Sequence, residues 1–328
     1  MDLYGSDLHE EYFNPRGLTM KIDSRTIGRE LVEAIGTDEA GRRAFLRDGS
    51  ILLLAGMTFA PPCKAAVDLA PLRFSVITDL HYADKDTAGS RHYRESIPKL
   101  IEARSVFEKT KPGFLVCLGD LIDAAADVTT ELSYLTRIVK ELKTIDCPKH
   151  FVLGNHCVDT LTKSEFLKGV GQEKSYYSFD TNGVHFVVLD ACFRSDGKPY
   201  QRKNFDWTDP NIAAEEVEWL QKDLAGTELP SIVFTHQRLD ESGVYSAKNA
   251  GVVRSIMEAS TKVLAVFQGH SHKNEHQLIG GIHYCTMVAM VEGSYEDSNG
   301  FSMISVFDDG TVKIDGHRKQ ASYVWHAL

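Results

Sequence analysis

Residues 268–276 read "QGHSHKNEH", three imidazoles crowded directly behind the apolar run "VLAVF" (263–267). The same arrangement, an apolar run followed at once by metal-type side chains, recurs at four other places. "SVIT" runs into Asp79-Leu80-His81, and "FLVCL" into Gly119-Asp120 with Asp123 just beyond. "HFVL" runs into Gly154-Asn155-His156, and "SIVFT" into His236. Side chains two apart on an extended backbone project to the same side. Asp79 with His81, and His270 with His272, are therefore each expected to point into one pocket. A glycine just before the ligand is expected to let the chain turn tightly at the strand end. The donors are Asp79, His81, Asp120, Asn155, His236, His270 and His272, all oxygen or imidazole and none a thiolate. Such a set suits two divalent ions, with one carboxylate bridging and water filling the rest. It favours Mn, Fe, Zn or Co over copper(I) or an iron–sulfur cluster. His276 is expected near the start of another strand, and His150, His185 and His283 are expected to be structural or surface residues.

The runs that carry these residues must be strands. Segments 73–78, 114–118, 150–153, 185–190, 231–235 and 263–267 are short, apolar and rich in Val, Ile and Phe, the pattern of buried strands. Between them, 93–109, 127–145, 210–225 and 247–259 are predicted helical. Asp209 is the expected N-cap of the third, with Pro210 in its first turn. Segments 283–290, 301–307 and 311–315 are predicted as further strands. Strand–helix alternation followed by a β-rich end predicts an α/β domain with two sheets packed together. Ligands at strand ends are where open α/β sheets place their sites. Phe193 to Pro210 is a long polar connection, the kind of loop that often binds something.

In this order, D-x-H, G-D-x-x-D, G-N-H, a single His behind a strand and G-H-x-H resemble the calcineurin-like metallophosphoesterase superfamily, from Phe74 to Ile314. "DLHYAD", "RHYRESIPKLIEA", "GVHFVVLDA", "EEVEWL" and "AMVEGS" are similar to the branch containing ADP-ribose/CDP-alcohol diphosphatases. The resemblance implies a four-layer α/β/β/α sandwich of two mixed sheets flanked by helices, as a single catalytic domain. It implies one ion held by Asp79, His81, Asp120 and His272, and a second held by Asp120, Asn155, His236 and His270. Asp120 would bridge them, with manganese the favoured metal. His156 matches the general acid and Asp123 the carboxylate that orients it. The implied reaction is attack by a hydroxide shared between the ions on a phosphodiester or diphosphate of a small nucleotide-like substrate. Phosphomonoester hydrolysis is the alternative. A non-catalytic interaction module on the same fold is disfavoured, because every ligand position and His156 are filled. No arginine follows the second motif ("GDLIDAA"), so the serine/threonine phosphatase pattern is not matched. Asp123 stands where purple acid phosphatases carry tyrosine. Cys157 after Asn155-His156, and "THQRL" without a nearby proline, also depart from common patterns. Arg91, His92 and Arg94 open the first long helix and could meet a substrate anion or form a solvated face. Trp207 could stack on a base or pack beneath its loop.

The chain has 328 residues and a formal net charge of −10. That balance disfavours nucleic acid and anionic membranes as main partners; a small phosphorylated substrate, which the resemblance implies, would then need a strong local positive charge such as a metal. Six cysteines without C-x-x-C spacing are expected to be mostly buried thiols. Arg42-Arg43-x-Phe45-Leu46 followed by the uncharged run 50–62 resembles a twin-arginine export signal. It is too short for a comfortable membrane span. Residues 1–70 are therefore expected to be an N-terminal extension with that signal, cleaved between Ala60 and Ala70, with Met20 an alternative start. Residues 71–328 are the expected metallophosphoesterase domain, delivered by the export machinery to the periplasm or cell surface.

Overall fold

Short runs of β-branched and aromatic residues fit a pleated surface that is buried on both faces, as sheets covered by helices require. The computed structural model describes residues 71–326, together with the backbone pairing of Leu46–Arg47 with Ser50–Ile51. Arg42, Arg43, residues 52–62, the cleavage window, Met20 and Cys63 lie outside the described residues. The chain divides into units 1–66 and 67–328, and the fold below is that of the second.

The first half runs β1 (Leu72–Ile77), α1 (Ser96–Thr110), β2 (Leu115–Cys117), α2 (Val128–Leu142), β3 (Lys149–Phe151) and α3 (Lys163–Val170). The second begins β4 (Tyr177–Thr181), β5 (Val184–Val188), α4 (Ala214–Gly226), β6 (Ser231–Phe234), α5 (Ala250–Ser260) and β7 (Val263–Gln268). It ends with β8 (Glu275–Ile279), β9 (Ile282–Thr286), β10 (Gly300–Val306), β11 (Val312–Arg318) and β12 (Tyr323–Trp325). One sheet has the order β12-β11-β10-β1-β2-β3, parallel from β1 to β3 and antiparallel elsewhere. The other has the order β8-β9-β7-β6-β5-β4, parallel from β9 to β5 with antiparallel edges.

Alternation along the strands sorts side chains into layers. Phe74 of β1 meets Phe186, Phe234 and Phe267 of the opposite sheet edge-on, with ring centroids 5.5, 5.7 and 6.1 Å away. This is the core between the sheets. Val187, Val233 and Val266 face the other way and pack under Leu220, Leu224, Val253 and Met257 of α4 and α5. Ile77 and Cys117 likewise pack under Leu100, Phe107, Ile138 and Phe166 of α1, α2 and α3. The result is the expected four-layer sandwich.

Three helix starts differ from expectation, the fourth predicted helix beginning at Ala250 instead of Ala247. The third predicted helix begins at Ala214, with Ala213 rather than Asp209 as its N-cap. The carbonyl of Pro210 accepts from Lys248 N (2.7 Å), and Asn211 N donates to Phe193 O (2.8 Å). This stretch therefore ties down the 193–211 loop and does not enter the helix. The first long helix begins at Ser96 behind a 3-10 turn at Tyr93–Glu95. Cys117, Cys147, Cys157, Cys192 and Cys285 are free thiols, all but Cys147 buried. Among the described residues no helix is long and apolar enough to cross a membrane.

Candidate metal centre

Each ligand-type residue stands just past the C-terminal end of a parallel strand: three such strands in one sheet (β1, β2, β3) and two in the other (β6, β7). The strand ends are bonded to one another. Asp79 N donates to Gly119 O (3.1 Å), His81 N to Asp120 O (2.8 Å) and Gly269 N to His236 O (3.0 Å). Asp79, His81, Asp120, His270 and His272 all take φ between 44° and 70°, a left-handed region that non-glycine residues rarely occupy. The pairs two apart thus converge through left-handed turns beyond the strand, and not by alternation along an extended one. Gly119 does turn as expected, with φ 104°. Gly154 has φ −104°, which any residue could adopt. Its role is space, since a Cβ there would lie 2.2 Å from Asp120 Oδ1.

Asp79 Oδ2 accepts from Thr78 Oγ1 (2.7 Å) and His270 N (3.2 Å). Its Oδ1 faces His272 Nε2 at 3.3 Å and His81 Nε2 at 3.7 Å. Asp120 Oδ1 accepts from His156 N (2.8 Å). Its Oδ2 lies between His236 Nε2 (3.1 Å) and His81 Nε2 (3.4 Å). Asp79, His81 and His272 bring ligand atoms within 4.8 Å of one another, and so do Asp120, His236 and His270. Asp79 Oδ1, Asn155 Oδ1, His236 Nε2 and His270 Nε2 are buried without a hydrogen-bond partner. Each such atom costs of order 1–3 kcal/mol in an interior, and divalent cations between them would satisfy all four. His236 Nδ1 donates to Leu118 O (2.8 Å) and His272 Nδ1 to Glu292 Oε1 (2.6 Å). Both rings are thereby fixed with Nε2 turned to the site. Burial opposes ionisation of Asp79 and Asp120, yet the facing imidazoles hold both carboxyls well below their usual range. Against burial, Asp120 and Asp79 push His236 up to about 9, and Asp79 and Glu292 push His272 up to about 9. Burial, with the neighbouring His236, drives His270 down to about 3.

Residues 72–274 match the family model for calcineurin-like phosphoesterases. The chain belongs to that family. The manganese-dependent ADP-ribose/CDP-alcohol diphosphatase of Xenopus tropicalis is 32% identical over 312 residues, 73% of this chain and 90% of that protein. The protein of the same name in Oryza sativa subsp. japonica is 26% identical over 284 residues, 72% of this chain and 88% of its own. A dimetal phosphatase from Danio rerio shares the fold, with a TM-score of 0.68 at 18% identity over 79% of this chain and 100% of that one. Family membership makes this chain a phosphoester hydrolase, and its two His/Asp groups are each of a kind that could hold a divalent ion.

A third cluster joins His81, Asp123 and His156. In the phosphoesterase His81 turns Nε2 to Asp79 and Asp120 and Nδ1 to Asp123 (3.4 Å), so Asp123 stands behind a ligand-type ring. Asp123 Oδ1 lies 2.8 Å from His156 Nδ1, off the axis of a well-aligned hydrogen bond. Lys85 Nζ donates to its Oδ2 (2.7 Å). Burial alone would discharge His156, but Asp120 and Asp123 raise its pKa above the usual value. Both carboxylates thus favour the protonated form of the ring. Lys85 and Glu292 escaped the sequence reading. Lys85 lies in a polar loop, and Glu292 lies in "AMVEGS", beyond the last ligand-type residue and without a spacing that marks it.

The centre opens into a cavity of about 410 Å³ shared by Asp120, Asn155, His156, His270 and His272 with Arg91, Phe205, Trp207 and Tyr245. A larger depression of about 630 Å³ over α2 and β3 contains none of these residues. Trp207 is 44% exposed and tilts over Tyr245 at 5.7 Å. His92 and Arg94 do not line the cavity. His92 Nδ1 pairs with Glu95 (2.9 Å), while Arg94 reaches Asp84 and Asp86 (2.6 Å to the latter). The helix they were expected to open starts later, and its first residue, Ser96, donates its hydroxyl to Leu80 O. His276 lies on β8 and stacks on His283 and Trp325. His150 stacks on Phe179, and His185 sits between Asp180 and Asp223.

Proposed function

We propose that this phosphoesterase splits the diphosphate, or a phosphodiester, of a small nucleotide-like substrate. The observation that carries the reading is Asp120. One of its oxygens is seated on the His156 amide, and the other lies within 3.4 Å of ring nitrogens from both three-residue groups. Asp79, His81, Asp120 and His272 would hold one ion, and Asp120, Asn155, His236 and His270 the other. Bound ions of this kind lower the pKa of coordinated water and neutralise phosphoryl charge. His156 delivers a proton to the leaving oxygen, and Asp123, anchored by Lys85, orients its ring. Arg91, at the cavity wall and 3.9 Å from Asp123, is placed to meet the phosphate oxygens of a bound substrate. Phe205, Trp207 and Tyr245 offer ring faces to a base. Two relatives named as ADP-ribose/CDP-alcohol diphosphatases match most of the chain and support the diphosphate choice.

The deciding assay offers ADP-ribose, CDP-choline, an aryl phosphate and a bis-aryl phosphate, each with Mn, Zn, Co and Mg. The expected result is fastest turnover of a nucleotide diphosphate with Mn, and preference for the aryl monophosphate would overturn it. His156→Asn should keep both ions and lose 10²–10⁴-fold in kcat. The loss should be smaller on a nitrophenyl ester, whose leaving group needs no proton. Equal losses on both substrates would remove His156 from the acid role. Arg42-Arg43 and the run 50–62 support a separate proposal, export to the periplasm or cell surface through the twin-arginine route. Mass spectrometry of the secreted form should find an N-terminus between residues 60 and 70. An intact precursor confined to the cytoplasm would refute that.

A further inference from the structure

"AMVEGS" (289–294) supplies no metal ligand, yet its loop is bonded to the centre from several sides. Met290 N donates to Thr78 O (3.1 Å), Val291 N to the carbonyl of Asp79 itself (3.0 Å) and Gly293 N to Ser90 O (2.7 Å). Lys99 of α1 donates its ammonium to the carbonyls of Met290, Glu292 and Gly293 at 2.7, 2.9 and 2.7 Å. The loop so held presents one carboxylate, Glu292, to His272 Nδ1 at 2.6 Å. His272 is therefore clamped between two carboxylates, with Glu292 behind the ring and Asp79 Oδ1 3.3 Å in front of it. The other group is built differently, since His236 rests on a neutral carbonyl, Leu118 O. A carboxylate behind a ligating imidazole fixes its tautomer and raises its basicity more than a carbonyl does.

We infer that Glu292 is a positioning residue for one ion of the pair: it holds the His272 ring toward Asp79 and His81 and strengthens that set alone for a hard divalent cation. The inference rests on the two-ion reading above. Glu292 belongs to neither metal-type group and does not line the cavity, so its effect passes through His272 and the loop that Lys99 pins.

The test is a titration of the metal-free full chain with Mn²⁺, with uptake and spin coupling followed by electron paramagnetic resonance. Wild type should take up two ions, the second giving a coupled spectrum. Glu292→Gln keeps the volume and an acceptor oxygen for His272 Nδ1. It should take up one ion with wild-type affinity and the other 10–100-fold more weakly. At concentrations that saturate wild type, the six-line spectrum of an isolated ion should persist. Its metal-free form should still unfold in one cooperative transition, its melting temperature lowered only by loss of the charged Glu292–His272 contact. Equal weakening of both ions, or uptake indistinguishable from wild type, would overturn the inference. A wild-type chain that takes up fewer than two ions would overturn the two-ion reading itself, and this inference with it.

Discussion

Asp79, His81, Asp120, His270 and His272 hold left-handed backbones that cost of order 1 kcal/mol or more each. The strand-end bonds around them and the ions they would share offset that cost. The motifs identified which residues meet, because D-x-H, G-N-H and G-H-x-H carry donor types that an apolar core would not otherwise keep. They did not reveal how the residues meet, because φ is set by the loop's bonds to neighbouring strands and not by local spacing. Gly154 shows the difference. Its φ is ordinary, yet a Cβ would fall 2.2 Å from Asp120 Oδ1 and 2.3 Å from Asp120 N. The second of these is backbone and cannot swing aside. Gly154→Ala should therefore push Asp120 off the His156 amide, cost about 1–3 kcal/mol of stability and lower kcat/KM at least 100-fold with loss of bound metal. Elemental analysis beside kinetics checks this, and a fully metallated, active variant would show that the space is not needed.

The predicted strands that carry ligand-type residues, and the helices between them, fell within a few residues of their observed positions because each is strongly apolar or clearly periodic. The missed elements lack those signals. β8 reads "EHQLI" and is an edge strand with little apolar surface. α3 has only eight residues, although its capping box, Thr162 with Glu165, was readable in the sequence. α4 starts late because Pro210 and Asn211 are bonded into the preceding loop. α1 has a duty that its sequence hides. Ser96 holds the Leu80 carbonyl, and Lys99, fully buried, holds the loop of Glu292. Burial pulls the Lys99 ammonium down to about 8, and three carbonyls keep it satisfied. Lys99→Met fits the space but leaves those carbonyls without a donor. It should destabilise the fold by about 2–4 kcal/mol in urea unfolding and raise the manganese concentration needed for half-maximal activity. Stability within 0.5 kcal/mol of wild type would mean that the strut is dispensable.

At the scale of the molecule, the two sheets are closed at both open edges by imidazoles stacked on aromatic rings. At one edge His150 of β3 lies flat on Phe179 of β4, with centroids 4.0 Å apart and planes 2° from parallel, and its Nδ1 meets Tyr177 Oη at 2.8 Å. At the other, His283 of β9 and His276 of β8 stack on Trp325 of β12 at 4.6 and 4.8 Å. Burial holds all three below the ordinary histidine value, His150 and His283 at about 4. A histidine lowered on folding binds its proton more readily in the unfolded chain, so acid favours unfolding. The contribution is complete above pH 6.5 and is lost as pH falls toward 4. For the more enclosed His150 it amounts to on the order of 2 kcal/mol. His150→Phe keeps the ring stack and removes the ionisation. Melting of metal-free wild type and variant from pH 7 to 4 should therefore converge or cross, the variant losing less stability across that window. Parallel curves would show that the acid sensitivity of the sandwich lies elsewhere, in the carboxylates and imidazoles of the centre, and that the stacks close the sheets without sensing pH.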